Sequence, residues 1–453
     1  MTRWVIRDAV IFEEDGRRVE GDVLVDGERI AKVGDVGNAG DAQEVRAEGR
    51  WLWPGVIDAH VHFREPGPTH KEDWDSGSAA AVSGGVTSVI DMPNTSPATT
   101  TLERLSEKRE VARAKARCNV GLYFGANPHN LEAILTSQGE AAVAGLKIFM
   151  ADSTGDLLVD RYEDLERIFE AYSGRICVHA EDPQRMRERE AMFEGREDPG
   201  VHSEIRDAET AARAVAVAGE LAARFGRRVH VLHLSTRAEL LALKEAQARL
   251  EEVGGGGRIT CEVCPHHLFL DARDYEFWGT RVQMNPPLRT EAERDAMWEA
   301  LGRGEVAMIA TDHAPHTPEE KAHPYGQAPS GVPGVELSLP LMLDAAFRGV
   351  CSYEEVLGWM CEGPARVHQV VDRGRIAEGA FADLVLIDPH MMRRVEDKDQ
   401  RSRCGWTPYA GRDLTGWPVR TWVNGNEVFR RLDEGAGEVV GTGGEGMWMM
   451  FEG

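Results

Sequence analysis

The chain has 453 residues, a formal net charge of −24 and a hydrophobic content of 42%. This length allows one large domain and a smaller one, and the strong negative charge argues against nucleic acid or an anionic membrane as a partner. No apolar stretch approaches membrane-spanning length, and the first residues lack the apolar core of a signal peptide. Seven scattered cysteines suit a reducing compartment, so we predict a cytoplasmic protein.

Residues 1–54 alternate short apolar strands with turns, and Asp26-Gly27 is typical of a β-hairpin. Residues 55–370 have a different pattern, in which eight apolar, β-rich segments recur and most are followed by helical periodicity. The segments are Val56–Phe63, Val86–Pro93, Asn119–Ala126, Ala144–Met150, Arg175–Asp182, Arg228–Thr236, Ile259–Leu268 and Val306–Ala314. Eight alternating units predict an α/β fold, the (β/α)₈ TIM barrel, with its active site at the carboxyl ends of the strands.

Residues 371–435 return to short strands, with Asn424-Gly425 at a tight turn. We therefore predict that residues 1–54 and 371–435 together form one small β-sandwich beside the barrel. The stretch from Gly435 to Gly446 is rich in glycine and glutamate, which predicts a flexible tail over residues 436–453.

Candidate metal ligands lie at the ends of the predicted barrel strands. His60 and His62 are two residues apart on one strand, so both side chains should point the same way. Four further candidates each end a strand of their own, namely Lys147, His179, His233 and Asp312. Nitrogen and carboxylate ligands of this kind suit a pair of divalent ions, and zinc best of all.

Lys147 is the unusual member, because an unpaired ammonium between Leu146 and Ile148 would be costly to bury. If the neutral amine adds carbon dioxide, the resulting carbamate is an anion with one oxygen for each of two metals, which lie about 3.5–4 Å apart in bimetallic sites. The alternative is a lysine that extends out of the strand end into water. With the other ligands in place, we favour the carbamate.

Longer motifs strengthen this interpretation. They are His60–Gly67, Asp91–Thr95, Gly145–Phe149, Cys264–His267, Met284–Arg289 and Ala310–His316. The ligand order resembles that of the amidohydrolase superfamily, and the motifs resemble the dihydroorotases, the cyclic amidohydrolase branch with a carboxylated lysine. The resemblance extends from about residue 50 to residue 340, with weaker support at both ends.

The resemblance implies a hydrolase that acts on a C–N bond in a cyclic amide. The reaction is the reversible, zinc-dependent hydrolysis of (S)-dihydroorotate to N-carbamoyl-L-aspartate, in pyrimidine (UMP) biosynthesis. It implies two zinc ions per chain, with His60 and His62 on the more buried ion and His179 and His233 on the second. Carboxylated Lys147 would bridge the two ions, and Asp312 would ligate the first and act as general base.

The resemblance also implies substrate contacts. Arg64, Asn94 and His316 resemble the trio that holds the substrate carboxylate. Asn285 and the backbone from Gly331 to Gly334 resemble the groups that hold the pyrimidine ring. The loop at residues 152–155 would form a lid, with Ser153 and Thr154 as its best contact candidates.

Three other histidine and cysteine patterns are not predicted to bind a metal. His230 differs in strand parity from His233, so we predict that it faces the helices rather than the metals. His313 is predicted to support Asp312 from outside the ligand set. The Cys261/Cys264 pair lies on a strand without a partner pair, which argues against structural zinc.

Several alternatives stay open. Allantoinase and dihydropyrimidinase (hydantoinase) share the metal ligands, but their substrates lack the carboxylate that Arg64 and Asn94 are suited to bind. An inactive scaffold for aspartate transcarbamoylase would not need intact ligands, and a purely structural or metal-storing barrel would not need Arg64. The expected ligand is a small-molecule substrate; a homodimer and an association with aspartate transcarbamoylase are compatible with the sequence.

Overall fold

A computed structural model describes residues 3–12, 17–151, 156–254, 257–431 and 435–452 of the chain. The first strands are β1 (Arg3–Phe12), β2 (Arg18–Asp26), β3 (Arg29–Gly34), β4 (Gln43–Arg46) and β5 (Trp51–Pro54). The barrel strands are β6 (Val56–Val61), β7 (Val86–Asp91), β8 (Asn119–Gly125), β9 (Val143–Phe149), β10 (Ile176–His179), β11 (Arg228–Val231), β12 (Arg258–Val263) and β13 (Met308–Ile309). The last strands are β14 (Leu384–Arg394), β15 (Asp413–Val423), β16 (Asn426–Arg430) and β17 (Glu438–Val439).

Helices surround the barrel strands. They are α1 (Trp74–Ser83), α2 (Leu102–Lys115), α3 (Leu131–Thr136), α4 (Tyr162–Ala171), α5 (Pro183–Met192), α6 (Val201–Ile205), α7 (Ala208–Phe225), α8 (Arg237–Glu252), α9 (Pro265–Phe269), α10 (Tyr275–Trp278), α11 (Glu291–Gly302), α12 (Pro318–Lys321), α13 (Ser338–Phe347), α14 (Tyr353–Leu357) and α15 (Gly363–His368). A π-helical turn at Gly358–Glu362 joins α14 to α15. No helix in the described part of the chain is long and apolar enough to cross a membrane.

The eight barrel strands are parallel and follow one another in chain order around the sheet. The His62 N–H donates to the His313 carbonyl at 2.8 Å, which links the first strand to the segment after the last and closes the barrel. Strands such as β6, β7 and β8 are buried along their whole length, because helices cover their outer side and side chains fill the interior. The predicted (β/α)₈ barrel is confirmed.

Both ends of the chain build one separate mixed sheet of nine strands. Its two halves meet where β5 pairs antiparallel with β14, so that Pro54 lies opposite Leu384. Because β5 runs directly into β6, this sheet is joined to the barrel at the start of the first barrel strand. The prediction of a small β domain made from both termini is confirmed.

The C-terminal segment differs from the predicted flexible tail. Within residues 435–452, β17 pairs with β16, and Trp448 forms a bridge with Val120 at the start of β8. Met449 is fully buried among residues that fill the barrel interior. The physical reason is the apolar run Met447–Phe451, which follows the glycine-rich stretch and packs against the amino-terminal end of the barrel.

Candidate active site

A cavity of about 400 Å³ opens at the carboxyl ends of the barrel strands. Its lining includes every sequence-predicted site residue that the structure describes, namely His60, His62, Arg64, Asn94, Lys147, His179, His233, Asn285, Asp312, His316 and Gly331. Phe149, Ala314, Pro329 and Ser330 complete the lining and were not predicted. Ser153 and Thr154 lie outside the described residues. The barrel thus brings residues from separate strand ends to one place.

The first cluster consists of His60, His62 and Asp312. The Asp312 Oδ1 atom lies 3.1 Å from His60 Nε2 and 2.9 Å from His62 Nε2. Burial alone would raise the pKa of the Asp312 carboxyl, but the two imidazoles hold it well below its usual range. The residue adopts φ 48°, a strained conformation of the kind that active sites retain. Two imidazole nitrogens and one carboxylate oxygen therefore converge, which suits a divalent cation.

The second cluster consists of His179 and His233. The His179 Nδ1 atom lies 2.8 Å from His233 Nε2, and His179 Nε2 lies 2.9 Å from a Glu181 carboxylate oxygen. His233 adopts φ 41°, and its Nδ1 atom is buried without a hydrogen-bond partner. Burial and the adjacent His179 lower the pKa of His233 well below its usual value, so its imidazole is neutral. A neutral imidazole is the form that binds a metal.

Lys147 lies on β9 and is 1% exposed. Among the described residues it has no carboxylate within 4.0 Å, and its Nζ atom lies 4.4 Å from the centre of the Phe149 ring. Burial lowers the pKa of Lys147 to about 8, which favours the neutral amine that reacts with carbon dioxide. Another buried lysine, Lys108, is different because Asp91 lies 2.5 Å from its ammonium. Lys147 alone of these two lacks a counter-ion.

Glu262 is a site residue that the sequence interpretation missed. It is fully buried on β12, and its carboxylate lies 2.6 Å from His60 Nδ1 and 3.0 Å from His230 Nε2. A carboxylate on the outer nitrogen of a metal-binding histidine fixes the ring's tautomer and orientation. The available signal was a glutamate within the predicted apolar segment Ile259–Leu268, between Cys261 and Cys264.

We predict that Glu262→Gln weakens metal binding by about 10–100-fold, the usual range for loss of such a supporting carboxylate. The amide keeps the shape of the side chain but loses the charge that orients His60. Metal affinity can be measured by competition with a chromogenic chelator. Glu239→Gln is a matched control, because Glu239 is equally buried but contacts Ser235 and Thr236. Equal metal affinity in Glu262→Gln and wild type would contradict this role.

Two other histidines make contacts that differ from those predicted from the sequence. His230 faces the barrel interior, where its ring nitrogens contact Thr260 and Glu262. Its ring also lies edge-on to His368 of α15, with 5.5 Å between the ring centres. The parity argument fails because β11 ends at Val231 and the chain bends before His233. In the part of the chain that the structure describes, His313 makes no hydrogen bond to the Asp312 carboxylate; its Nδ1 atom accepts from the Gly334 N–H at 3.1 Å. It supports the loop that borders the cavity.

Arg64 and His316 lie together in the cavity wall, next to Lys71. Lys71 donates to His316 Nδ1 at 3.0 Å, so the His316 proton is on Nε2, which donates to the Ser330 carbonyl at 3.0 Å. Arg64 Nη2 lies 3.3 Å from that same Nε2 atom, which has no lone pair to offer in this tautomer. Arg64 also has a buried Nε atom without a partner and, in the described part of the chain, no carboxylate within 4.0 Å. Its guanidinium is therefore available to an anion from outside the protein.

Two asparagines border this region. Asn94 Oδ1 lies 2.7 Å from His62 Nδ1, so this side chain orients a metal-type histidine and keeps its NH₂ group as a donor. The Asn285 amide is placed in the orientation that gives both of its polar atoms hydrogen-bond partners. Its nitrogen then donates to His202 Nε2 at 2.8 Å, and its oxygen accepts from Arg206 Nη2 at 3.2 Å. Both side chains are held in fixed positions at the cavity wall.

Comparison with known proteins agrees with this geometry. The model of the amidohydrolase family matches residues 51–428. A dihydroorotase of Halobacterium salinarum is 41% identical over 94% of this chain and 96% of its own length, and an allantoinase of Streptomyces avermitilis is 36% identical over 83% of this chain and 84% of its own length. Among solved structures, an L-hydantoinase (dihydropyrimidinase) of Arthrobacter aurescens superimposes with a TM-score of 0.91 at 28% identity, covering 99% of this chain and 100% of that one. The chain is a member of the amidohydrolase family.

Proposed function

We propose that the chain is a dihydroorotase, which hydrolyses (S)-dihydroorotate to N-carbamoyl-L-aspartate and closes the ring in the reverse direction. The observation that carries this proposal is Arg64, whose guanidinium has no counter-ion among the described residues and lines the same cavity as the two clusters of candidate metal ligands. Dihydroorotate has both groups that such a cavity would recognise, a cyclic amide and a carboxylate. Relatives named dihydroorotase, 41% and 35% identical over 94% and 90% of the chain, support the same substrate.

We further propose that the cavity holds two zinc ions. His60, His62 and Asp312 would bind the first ion, His179 and His233 the second, and a carbamate on Lys147 would bridge them. The neutral His233 imidazole, the convergent nitrogen atoms and the unpaired buried lysine support this assignment. When bound, the two ions would lower the pKa of the attacking water and polarise the ring carbonyl.

Asp312 is the proposed general base and acid. Its carboxylate is charged, because the two adjacent imidazoles hold its pKa far below neutrality. It would accept a proton from the attacking water as the new C–O bond forms, and deliver that proton to the ring nitrogen as the C–N bond breaks. The ring opens to a carbamoyl group and a carboxylic acid, which releases the second proton of the water to become a carboxylate; water is the only other reactant.

Arg64, Asn94 and His316 would position the substrate through its carboxylate. A planar guanidinium can donate two parallel hydrogen bonds to a carboxylate, and Asn94 contributes an NH₂ group whose amide oxygen is already engaged by His62. The neutral His316 imidazole, held by Lys71 and Ser330, forms the adjacent wall. Asn285 and the backbone near Gly331 would contact the ring, as the motif resemblance implies.

Allantoinase and hydantoinase activities are the nearest alternatives, because relatives with those names share much of the chain or its fold. Their substrates have no carboxylate, which would leave Arg64 unpaired during turnover. An inactive scaffold is also less well supported, since the described ligand set is complete and converges.

We predict that Arg64→Met lowers kcat/KM for dihydroorotate at least ten- to hundredfold. The substitution removes a charge-assisted contact worth about 1.5–3 kcal/mol, and each 1.4 kcal/mol is roughly a factor of ten. Turnover of dihydrouracil, which lacks the carboxylate, should change little, and the two substrates can be assayed on the same preparation. Arg187→Met is a matched control, because this exposed arginine lies outside the cavity on α5.

Two outcomes would contradict the substrate assignment. One is wild-type protein that hydrolyses dihydrouracil or allantoin better than dihydroorotate. The other is an Arg64→Met variant with unchanged dihydroorotate turnover.

A further inference from the structure

An arginine lies at or directly before the first residue of three neighbouring barrel strands. Arg228 and Arg258 are the first residues of β11 and β12, and they lie opposite each other in the strand register. Arg175 directly precedes β10, and because Ile176 pairs with Val229, Arg175 falls beside Arg228. Adjacent strands are about 4.8 Å apart, so the register places three like charges side by side at the amino-terminal end of the barrel. Like charges in this arrangement are destabilising unless something compensates them.

These arginines line a cavity of about 480 Å³ at the end of the barrel opposite the proposed active site. A fourth arginine, Arg366 of α15, lines the same cavity. Within the described ranges, none of the four has a carboxylate within 4.0 Å. This is unexpected in a chain with 76 acidic residues and 52 basic ones, where carboxylates are plentiful.

The partners that these arginines do have are neutral. The Gln369 side-chain oxygen accepts a hydrogen bond from Arg175 Nη2 at 3.1 Å and one from Arg228 Nη1 at 2.5 Å. Arg175 is only 9% exposed, and burial together with the nearby Arg228 cation lowers its pKa. The one lining carboxylate, Glu355, accepts instead from the Ser352 N–H at 2.7 Å, where it caps α14. Among the described residues that line the cavity, four guanidiniums thus face a single carboxylate, which leaves an excess of positive charge.

We propose that this cavity binds a small phosphate-bearing molecule with at least two negative charges. Guanidinium groups match phosphate oxygens through paired hydrogen bonds, and several around one cavity favour a polyanion over a single carboxylate. The volume is within the range of about 300–1,000 Å³ that is typical of small-molecule sites. Val306, Trp359 and Val367 provide an apolar wall for an organic portion of the ligand. This site is separate from the proposed active site and does not depend on the proposed reaction.

The test is calorimetric titration of pyrophosphate, and separately of adenosine triphosphate, into the metal-loaded full-length protein in chloride buffer. We expect saturable binding of one molecule per chain that weakens as ionic strength rises, because salt screens charge–charge attraction. Tighter binding of the nucleotide would identify a nucleotide ligand, and equal affinities would identify recognition of the phosphates alone. Either result supports the site.

The deciding variant is Arg258→Gln combined with Arg366→Gln, which removes two exposed guanidiniums from the cavity. We expect at least a tenfold loss of affinity for pyrophosphate with unchanged turnover of dihydroorotate. Arg113→Gln combined with Arg187→Gln is the matched control, since both are exposed and lie outside the cavity. If the first double variant does not fold, Arg366→Gln alone provides the same comparison.

Two results would overturn the proposal. The first is the absence of saturable binding of either probe to wild-type protein. The second is equal affinity in wild type and the cavity variant, which would place the phosphate elsewhere, for example on the metal ions.

Discussion

Replacement of Asp312 by asparagine is expected to lower kcat for dihydroorotate by about two to four orders of magnitude, the usual contribution of a positioned acid–base group. The amide has nearly the same shape but cannot accept a proton from the attacking water. It also withdraws the negative charge that lies between His60 and His62. The measurement is steady-state turnover in both directions, with the metal content of each preparation determined by elemental analysis.

The metal content of the variant distinguishes the two proposed roles of Asp312, as a metal ligand and as a proton carrier. A variant that keeps both ions but turns over slowly has lost the proton carrier, whereas a variant that lacks one ion has lost a ligand. Asp182→Asn is the matched control, because Asp182 lies at the same end of the barrel, caps α5 and does not line the cavity. Near-native turnover of Asp312→Asn would rule out the role of general base.

The candidate metal ligands could be predicted from sequence because each lies near or just beyond the carboxyl end of a buried strand. In a parallel barrel, all strand ends of one kind meet at one face, so His60, His179, His233 and Asp312 had to converge once the eight strands were recognised. The distances between their atoms, such as the 2.8 Å between His179 and His233, did not follow from the pattern. They depend on backbone bends such as the positive φ of His233, which no periodicity encodes.

Supporting residues were harder to predict, because they act through contacts between distant segments. Glu262 reaches His60 across 202 positions of sequence, and Lys71 reaches His316 across 245. The argument that singled out Lys147, a charged side chain inside an apolar strand, applies equally to Glu262. The row of Arg175, Arg228 and Arg258 could not be anticipated, since it depends on the register of three strands.

The C-terminal segment illustrates how composition can mislead. Glycine and glutamate between Gly435 and Gly446 predict little burial, but the five residues Met447–Phe451 are apolar or aromatic. When an apolar run at the end of a polar segment packs against the barrel, its apolar surface leaves water, and this lowers the free energy of the folded protein. Here Met449 is fully buried at the base of the barrel.

Lys147→Ala is expected to lower turnover of dihydroorotate by about 100-fold or more and to reduce bound metal. A metal ion contributes several kcal/mol of transition-state stabilisation, and about 1.4 kcal/mol corresponds to tenfold in rate. Without the carbamate, the two clusters lose the shared anion that we propose to hold the ions together. Turnover and metal content are measured on the same preparation, with circular dichroism as a check of folding.

Short-chain carboxylic acids provide the more specific readout for Lys147. Acetate or propionate can occupy the space left by the side chain and supply two carboxylate oxygens, so we expect partial recovery of activity that saturates with acid concentration. A protein that is merely destabilised would gain nothing from the acid. Lys244→Ala is the matched control, because Lys244 is exposed and pairs with Glu305 at the surface, so the acid should not change its turnover. Full activity of Lys147→Ala with normal metal content would exclude a bridging carbamate and leave Lys147 as a buried amine in the cavity wall.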